Sequence, residues 1–286
     1  MTKAMTLKTF NARFPDDEAC LNHLMAVRYG SKFHCSSCGA EAKHHRVKGR
    51  RCFECEFCGH QVYPTAGTPF ERTRTSLRDW FFVMFLFTTT RNGVSAKEIQ
   101  RQLGVTYKTA WRMGHEIRKY MGWVDGDDPL GGDKIVEADK AFIGGKDKRG
   151  EDDKTVVLGI VERGGDIVAR VIPSKEARFV IPTVLAHVKP GSRIATDEGG
   201  AFKPLTEEGY RHATVKHRKG EYVRGAVHTN SIEAFWASLK RGISGTHVWV
   251  SSAHLPKYLA EFEFRHNLRK QPHLMFDLLL QAFPRP

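Results

Sequence analysis

His228-Thr229-Asn230-Ser231-Ile232-Glu233-Ala234-Phe235-Trp236-Ala237-Ser238-Leu239-Lys240-Arg241 reads as a helix with one chemically distinctive face. At about 100° per residue, Asn230, Glu233 and Lys240 fall in one sector of the cylinder, and Ala237 keeps that sector uncrowded. A carboxylate and an ammonium two turns apart suit metal-dependent work on a phosphodiester. Two upstream aspartates, Asp139 and Asp197, could complete such a site.

The segment before this helix is strand-rich. Lys134 to Ile143 alternates enough for a strand and ends at Gly144-Gly145. Lys154 to Val161 and Ile167 to Ile172 are β-branched runs, joined by a hairpin at Arg163-Gly164-Gly165-Asp166. Residues 179–188 read as a helix with Pro182 in its first turn. Ser192 to Thr196 is a short strand leading into Asp197, and His212 to Lys216 is another. Helices over 229–243 and 254–267 follow. This order is that of an α/β ribonuclease-H-like core. There the first and fourth strands lie side by side, so Asp139 and Asp197 converge and the helix brings the third ligand. Mg²⁺ takes hard oxygen ligands. Two such ions about 4 Å apart activate an attacking oxygen and stabilise a leaving one. Lys240 would bind phosphate or offset charge in the transition state. Taken singly, each acid reads as a solvated surface residue; the ordered set carries the argument.

Cysteines crowd the N-terminal part. Cys35-Ser36-Ser37-Cys38-Gly39 and Cys55-Glu56-Phe57-Cys58-Gly59 are two C-x-x-C-G knuckles with 16 residues between Cys38 and Cys55. That spacing matches a zinc ribbon in which Cys35, Cys38, Cys55 and Cys58 hold one structural Zn²⁺. Cys52 forms a rival C-x-x-C with Cys55, but only Cys55 and Cys58 repeat the glycine-ended form. Cys20 reads as core, and His44-His45 as an exposed hairpin loop.

Between these parts, Leu77 to Thr90 reads as a buried helix capped by Ser76. Ser95 and Glu98 make a capping box for a second helix, Gly104 makes a turn, and Thr106 caps a third. Ala110, Trp111 and Ile117 pack that last helix inward and leave Tyr107, Lys108 and Arg112 outward. This is a helix-turn-helix layout with its second helix poised for the major groove. Asp125-Gly126-Asp127-Asp128-Pro129-Leu130-Gly131-Gly132 reads as a linker and marks a domain boundary.

The chain of 286 residues has a formal charge of +13 and a pI near 9.5, which attracts polyanions and makes nucleic acid the first partner to consider. No segment approaches the roughly 20 apolar residues that span a bilayer. Nor does the N-terminus carry an apolar leader, so a cytoplasmic, nucleoid-associated protein with reduced or metal-bound cysteines is expected. The fold class is multidomain α+β. Expected are an N-terminal helical segment (1–30), a zinc ribbon (31–75), a helix-turn-helix (76–122), a linker (123–132), the catalytic core (133–275) and a tail (276–286).

These residues resemble the DDE transposases of bacterial insertion sequences, in the ISXO2-like group that joins a zinc ribbon, a helix-turn-helix and a ribonuclease-H-like domain. The resemblance runs from about residue 15 to 275 and rests on Gly67-Thr68-Pro69-Phe70, Asp139-Lys140-Ala141-Phe142-Ile143-Gly144-Gly145-Lys146, Thr196-Asp197 and the opening helix. Between Asp197 and Glu233 lie 35 residues, and Lys240 follows Glu233 by seven, as in that class. In this group the third position is often an asparagine, here Asn230, so Asn230 and Glu233 both stand as candidates. An acid usually follows the first aspartate; here it is Lys140, which points to the other face of the strand. The resemblance implies metal-dependent cleavage at a transposon end, then attack of the freed 3′-hydroxyl on target DNA. It implies two Mg²⁺ ions (Mn²⁺ as a substitute), double-stranded DNA as partner and a homo-oligomer. Arg218, Lys219, Arg241 and Arg265 are candidates for backbone contacts. Two other readings are a domesticated non-catalytic DNA-binding regulator and a ribonuclease-H-like nuclease without strand transfer.

Overall fold

The computed structural model describes residues 5–124, 128–146, 152–197, 199–215 and 227–283. They form a mixed α/β protein in two compact units, one taking Met1–Thr90, Ala96–Tyr120 and Gln271–Pro286, the other Arg91–Ser95 and Met121–Lys270.

In the first unit, α1 (Leu7–Arg13) and α2 (Asp17–Tyr29) start at Thr6 and Asp16, whose side chains accept the amides of Thr9 and Ala19. Strands β1 (Phe33–His34) and β2 (Glu41–Ala42) pair with each other, and β3 (His44–Arg46), β4 (Phe53–Cys55) and β5 (Gln61–Val62) form a three-stranded antiparallel sheet. His44 and His45 therefore lie in a strand, not an exposed loop. The reason is non-local: the His44 ring stacks on Phe33 with centroids 3.9 Å apart. Ser76 caps α3 (Leu77–Thr89), whose buried face includes Trp80, Phe81, Met84 and Phe87. Helices α4 (Ala96–Leu103) and α5 (Tyr107–Val124) follow. Gly104 between them has φ +66°, a left-handed turn that glycine takes without strain, and Thr106 Oγ1 accepts the Thr109 amide at 3.2 Å.

In the second unit the elements are β6 (Ile135–Lys146), β7 (Asp152–Glu162), β8 (Ile167–Ile172), α6 (Ala177–His187), β9 (Arg193–Asp197), a 3₁₀ segment Gly200–Thr206, β10 (Arg211–Val215), α7 (Asn230–Gly242) and α8 (Leu255–Asn267). The strands form one five-stranded sheet of order β10-β9-β6-β7-β8. β6, β7 and β8 are mutually antiparallel, while β9 runs parallel to both β6 and β10. β6 continues through Gly144-Gly145, where its end was expected, because β7 pairs with it as far as Lys146 and Asp152. Helix α6 begins at Ala177, two residues before the expected start, which moves Pro182 from the first turn into the second.

Residue parity sorts the core into two layers. Val136, Ala138, Leu158 and Ile160 pack with Val180, Ile181 and Val184 of α6, whereas Ala141, Ile143, Val157 and Val161 pack with Ile232, Phe235 and Trp236 of α7 and Leu259 and Phe262 of α8. β6 and β7 are thus buried on both faces, as central strands of a helix-covered sheet must be.

The expected tail at 276–286 instead holds α9 (Met275–Ala282), which belongs to the first unit. Met275, Phe276, Leu279, Leu280 and Phe283 are buried, with Phe276 6.0 Å from the Phe10 ring and Phe283 5.3 Å from Phe70. These apolar positions recur at helical spacing and bury one stripe.

Gly159 of β7, paired with Asp139, marks the closest approach of α7. A Cβ there would meet Trp236 at 2.5 Å and Ile232 at 2.6 Å. Gly159→Ala should therefore destabilise the protein by about 1–3 kcal/mol through overpacking, although alanine at an open strand position would be neutral or favourable. Urea denaturation tests this; an unchanged or higher midpoint would contradict the close packing.

Candidate active site and metal centre

Glu137 and Asp139 stand two residues apart on β6 and so share the face covered by α7. The Glu137 side chain is fully buried. Its Oε2 accepts the amides of Ser231 at 2.8 Å and Ile232 at 3.2 Å, two of the amides that the first turn of α7 leaves without helical partners. Its Oε1 accepts from Arg163 Nε at 2.6 Å and Ser231 Oγ at 3.2 Å. His228 Nδ1 lies 3.1 Å from the same oxygen but out of line for a hydrogen bond. Arg163 also donates to the His228 carbonyl at 3.0 Å. A guanidinium and the positive end of a helix together compensate the buried charge.

Trp236, on the second turn of α7, donates its indole N–H to Asp139 Oδ2 at 3.1 Å. Burial raises the Asp139 pKa to about 6; the Lys140 amide opposes that shift, and the nearby charge of Asp197 adds to it. The β6–β9 ladder matches Ala138 with Thr196, so Asp139 and Asp197 are the next residues on neighbouring parallel strands, with backbones about 4.8 Å apart. Asp197 Oδ1 accepts the Gly199 amide at 3.2 Å. Lys140 leaves β6 on the other face, with Nζ 4.1 Å from the centre of the Phe202 ring. Its ammonium and Asp197 Oδ1 both border Gly199, at 2.9 Å and 2.8 Å from where a Cβ would sit.

Asn230, Glu233 and Lys240 are all exposed on α7. Asn230 is its first residue, and Glu233 Oε1 accepts from Thr229 Oγ1 at 2.9 Å. Among the described residues Glu233 does not close with Asp139 and Asp197 into a metal-sized cluster; the four knuckle cysteines do form one. The aspartate pair still fits a divalent cation. Its donors are hard oxygens on neighbouring strands, and a cation would relieve the Asp197 repulsion that adds to the effect of burial on Asp139.

Tyr107, Lys108 and Arg112 are exposed on α5, with Lys97 5.1 Å from the Tyr107 ring and Arg112 5.4 Å from the Trp80 ring. Arg241 is exposed on α7, whereas Arg265 is largely buried and bonded to Glu261 at 2.9 Å. Arg218 and Lys219 lie outside the described residues.

The cysteine site is built from two equivalent turns. The amides of Gly39 and Gly59 bond the carbonyls of Cys35 and Cys55 at 2.8 and 3.0 Å, and both glycines have φ near +70°. All four Sγ atoms lie within 4.8 Å of one another, with Cys35–Cys58 at 3.6 Å and Cys38–Cys55 at 3.9 Å. A tetrahedron of 2.3 Å Zn–S bonds has edges of about 3.8 Å. Amides of Cys38 and Ser37 lower the Cys35 thiol to about 6, whereas Cys38, despite an amide from Ala40, is raised to about 11 by burial and its neighbouring sulfurs. A cation among the four sulfurs would relieve the crowding that raises Cys38. Cys52 is buried outside the cluster and donates to Gln61, and Cys20 is a core residue.

Sequence reasoning missed Glu137, Arg163 and Gly159. The signal for Glu137 was present: an acid two residues before Asp139 in a strand shares its face.

A family model for the ISXO2-like transposase domain matches residues 124–267, and one for the transposase zinc-ribbon domain matches residues 15–61. A protein in the transposable element ISH50 of Halobacterium salinarum, itself uncharacterized, is 30% identical over 295 residues, covering 94% of this chain and 95% of its own length. Among the described residues no helix is long and apolar enough to cross a membrane.

Two outcomes are expected from this geometry. Purified protein should carry one zinc, which Cys55→Ser loses and Cys52→Ser keeps; elemental analysis showing the reverse would reassign the second knuckle. Without divalent metal, native Asp139 holds its proton more tightly than the unfolded chain does. The native state then binds more protons between about pH 4 and pH 6, and stability falls as pH rises through that window. A shift of about two pKa units sets an upper figure of roughly 3 kcal/mol. Asp139→Asn should accordingly raise the Tm at pH 8 and leave it unchanged near pH 4; an equal effect at both pH values would exclude a buried, ionisable Asp139.

Proposed function

We infer from its place among the ISXO2-like transposases, the family to which this chain belongs, that it binds the inverted-repeat ends of an insertion sequence and catalyses their cleavage and strand transfer. The observation that carries this reading is that Asp139 and Asp197 occupy matching positions of two neighbouring parallel strands, with α7, whose exposed side bears Asn230, Glu233 and Lys240, packed on the sheet beside Asp139. The sheet order and the crossing helices support a ribonuclease-H-like core. The α4–α5 pair supports a helix-turn-helix with Tyr107, Lys108 and Arg112 toward DNA.

Asp139 and Asp197, with Asn230 or Glu233, would hold Mg²⁺, which supplies the Lewis acidity and nucleophile activation of phosphoryl transfer. The chain's own residues do the rest. Trp236 fixes the orientation of the Asp139 carboxylate through its N–H. Glu137 sets where the first turn of α7 sits, and with it Asn230 and Glu233. Lys240 neutralises phosphate charge from the end of the same helical face. Exposed cations on α5 and α7 hold the DNA backbone, so affinity should fall steeply with salt.

The test uses a duplex carrying the terminal repeats found in DNA flanking the gene, with Mg²⁺ present. Asp139→Asn and Asp197→Asn should each lower cleavage at least about 10³-fold, of the order that losing a transition-state contact costs. Cleavage at the wild-type rate by either variant would sink the proposal. Asn230→Ala and Glu233→Ala, assayed separately, assign the third ligand. Precut ends presented with target plasmid should yield joined products; cleavage without joining would favour the nuclease reading.

A further inference from the structure

Beyond Lys240 on α7 a groove of about 440 Å³ opens, and its walls include Phe142, Lys240, Arg241, Ile243, Val248 and Trp249. Large apolar side chains are usually covered, yet Phe142 is 47%, Val248 80% and Trp249 59% exposed. Lys240 and Arg241, both exposed, line the same groove. The backbone leading to Trp249 is unusual. A π-helical turn, Ile243–His247, is followed by Val248 at φ +66°, a left-handed conformation that strains a β-branched residue. Such strain concentrates where a side chain must be held for a ligand.

We propose that this groove binds an unpaired nucleobase of the DNA strand held at Asp139 and Asp197, with Trp249 stacking on the base and Lys240 and Arg241 on the flanking phosphates. The proposal rests on reading those aspartates as a DNA-cleaving site. Distance along the elements supports it. Phe142 lies three residues from Asp139 on β6, about 10 Å. Lys240 lies two turns from Glu233, also about 10 Å. The groove is therefore within a few nucleotides of the phosphate being cut. Aromatic faces interleaved with cations are the chemistry that holds single-stranded nucleic acid. A second copy of this chain is a poorer occupant, because each copy carries a net charge of +13 and would bring like charge to Lys240 and Arg241.

The probe is a single-stranded thymidine oligonucleotide with one central 2-aminopurine, titrated without divalent metal so that no cleavage enters. Binding to the full chain should quench the fluorophore. Trp249→Ala should abolish the quenching and weaken binding at least about fivefold, while Trp249→Phe keeps part of both. An abasic oligonucleotide should bind the wild type as weakly as the aminopurine strand binds Trp249→Ala. The variant's Tm should match wild type, since the side chain is exposed. Unchanged quenching or affinity in Trp249→Ala overturns the proposal. So does a fall in solution mass on Trp249→Ala, which would make the groove a contact between copies. Cleavage by the Asp139 variants tests the aspartate site alone, so the two readings can fail separately.

Discussion

The carboxylate of Glu137 holds the first turn of α7 against β6, and the geometry of the candidate site follows from that contact. Glu137 meets Ser231 and Ile232, and two residues along the strand Asp139 meets Trp236. Two strand residues advance about 6.7 Å. Four to five helical residues advance about 6–7.5 Å. The near match lets α7 run along β6 and make both contacts without bending. Hydrogen bonds to a charged group contribute about 1.5–3 kcal/mol each. Losing one member of a buried pair costs about 3–5 kcal/mol, because the partner is left uncompensated. Packing of Phe235 and Leu239 could hold α7 on the sheet at several offsets, but only one offset satisfies Glu137.

Close approach of the helix has electrostatic consequences. Gly159 lets the Trp236 ring lie on the strand beside Asp139, where its N–H reaches the carboxylate. Burial is the largest cause of the raised pKa at Asp139, with the charge of Asp197 acting in the same direction. Two carboxylates held together in a partly dry site are destabilising for the metal-free protein. A divalent cation held there would offset both effects. The zinc ribbon works by the same physics with softer donors. There, backbone amides favour the Cys35 thiolate while Cys38 resists ionisation. The ribbon's turns are local, whereas Asp139 and Asp197 are brought side by side by the pairing of distant strands.

Features that depend on a few consecutive residues were legible in the chain: the two knuckles, the caps at Ser76 and Thr106, the turn at Gly104 and the strands bearing Asp139 and Asp197. Features created by distant partners were not. Glu137 gains its role from residues 94 and 95 positions away, and Asp139 meets an indole 97 positions away. Nothing in the alternation of β6 says which acid will be buried and which will face a ligand. His44 was misplaced for the same reason, since its stacking partner Phe33 lies on another strand. The terminal helix α9 is a different case. Its apolar stripe was readable, but a short segment after the expected domain end lacks a visible partner until Phe10 and Phe70 are brought to it.

The outer strand of the sheet repeats the logic of Glu137. Asn267 of α8 accepts the Ile167 amide at 2.8 Å and donates to its carbonyl at 3.0 Å, standing in for a neighbouring strand at β8. Glu263, one turn earlier, accepts the Ala169 amide at 2.7 Å and is forked by Arg170 at 3.0 Å. Edge amides that would otherwise offer a template for another chain are thereby occupied. Both helices on this face are thus pinned to the sheet by buried polar groups as well as by apolar packing. Apolar contact is non-directional and leaves a helix some freedom to slide or rotate. A charged group that must be satisfied removes that freedom, because any other offset leaves it buried and unpaired. A metal site needs its donors within about 0.5 Å of their working positions. Apolar packing alone does not supply that tolerance; the polar contacts of Glu137 fix the first turn of α7, where the candidate ligands Asn230 and Glu233 sit.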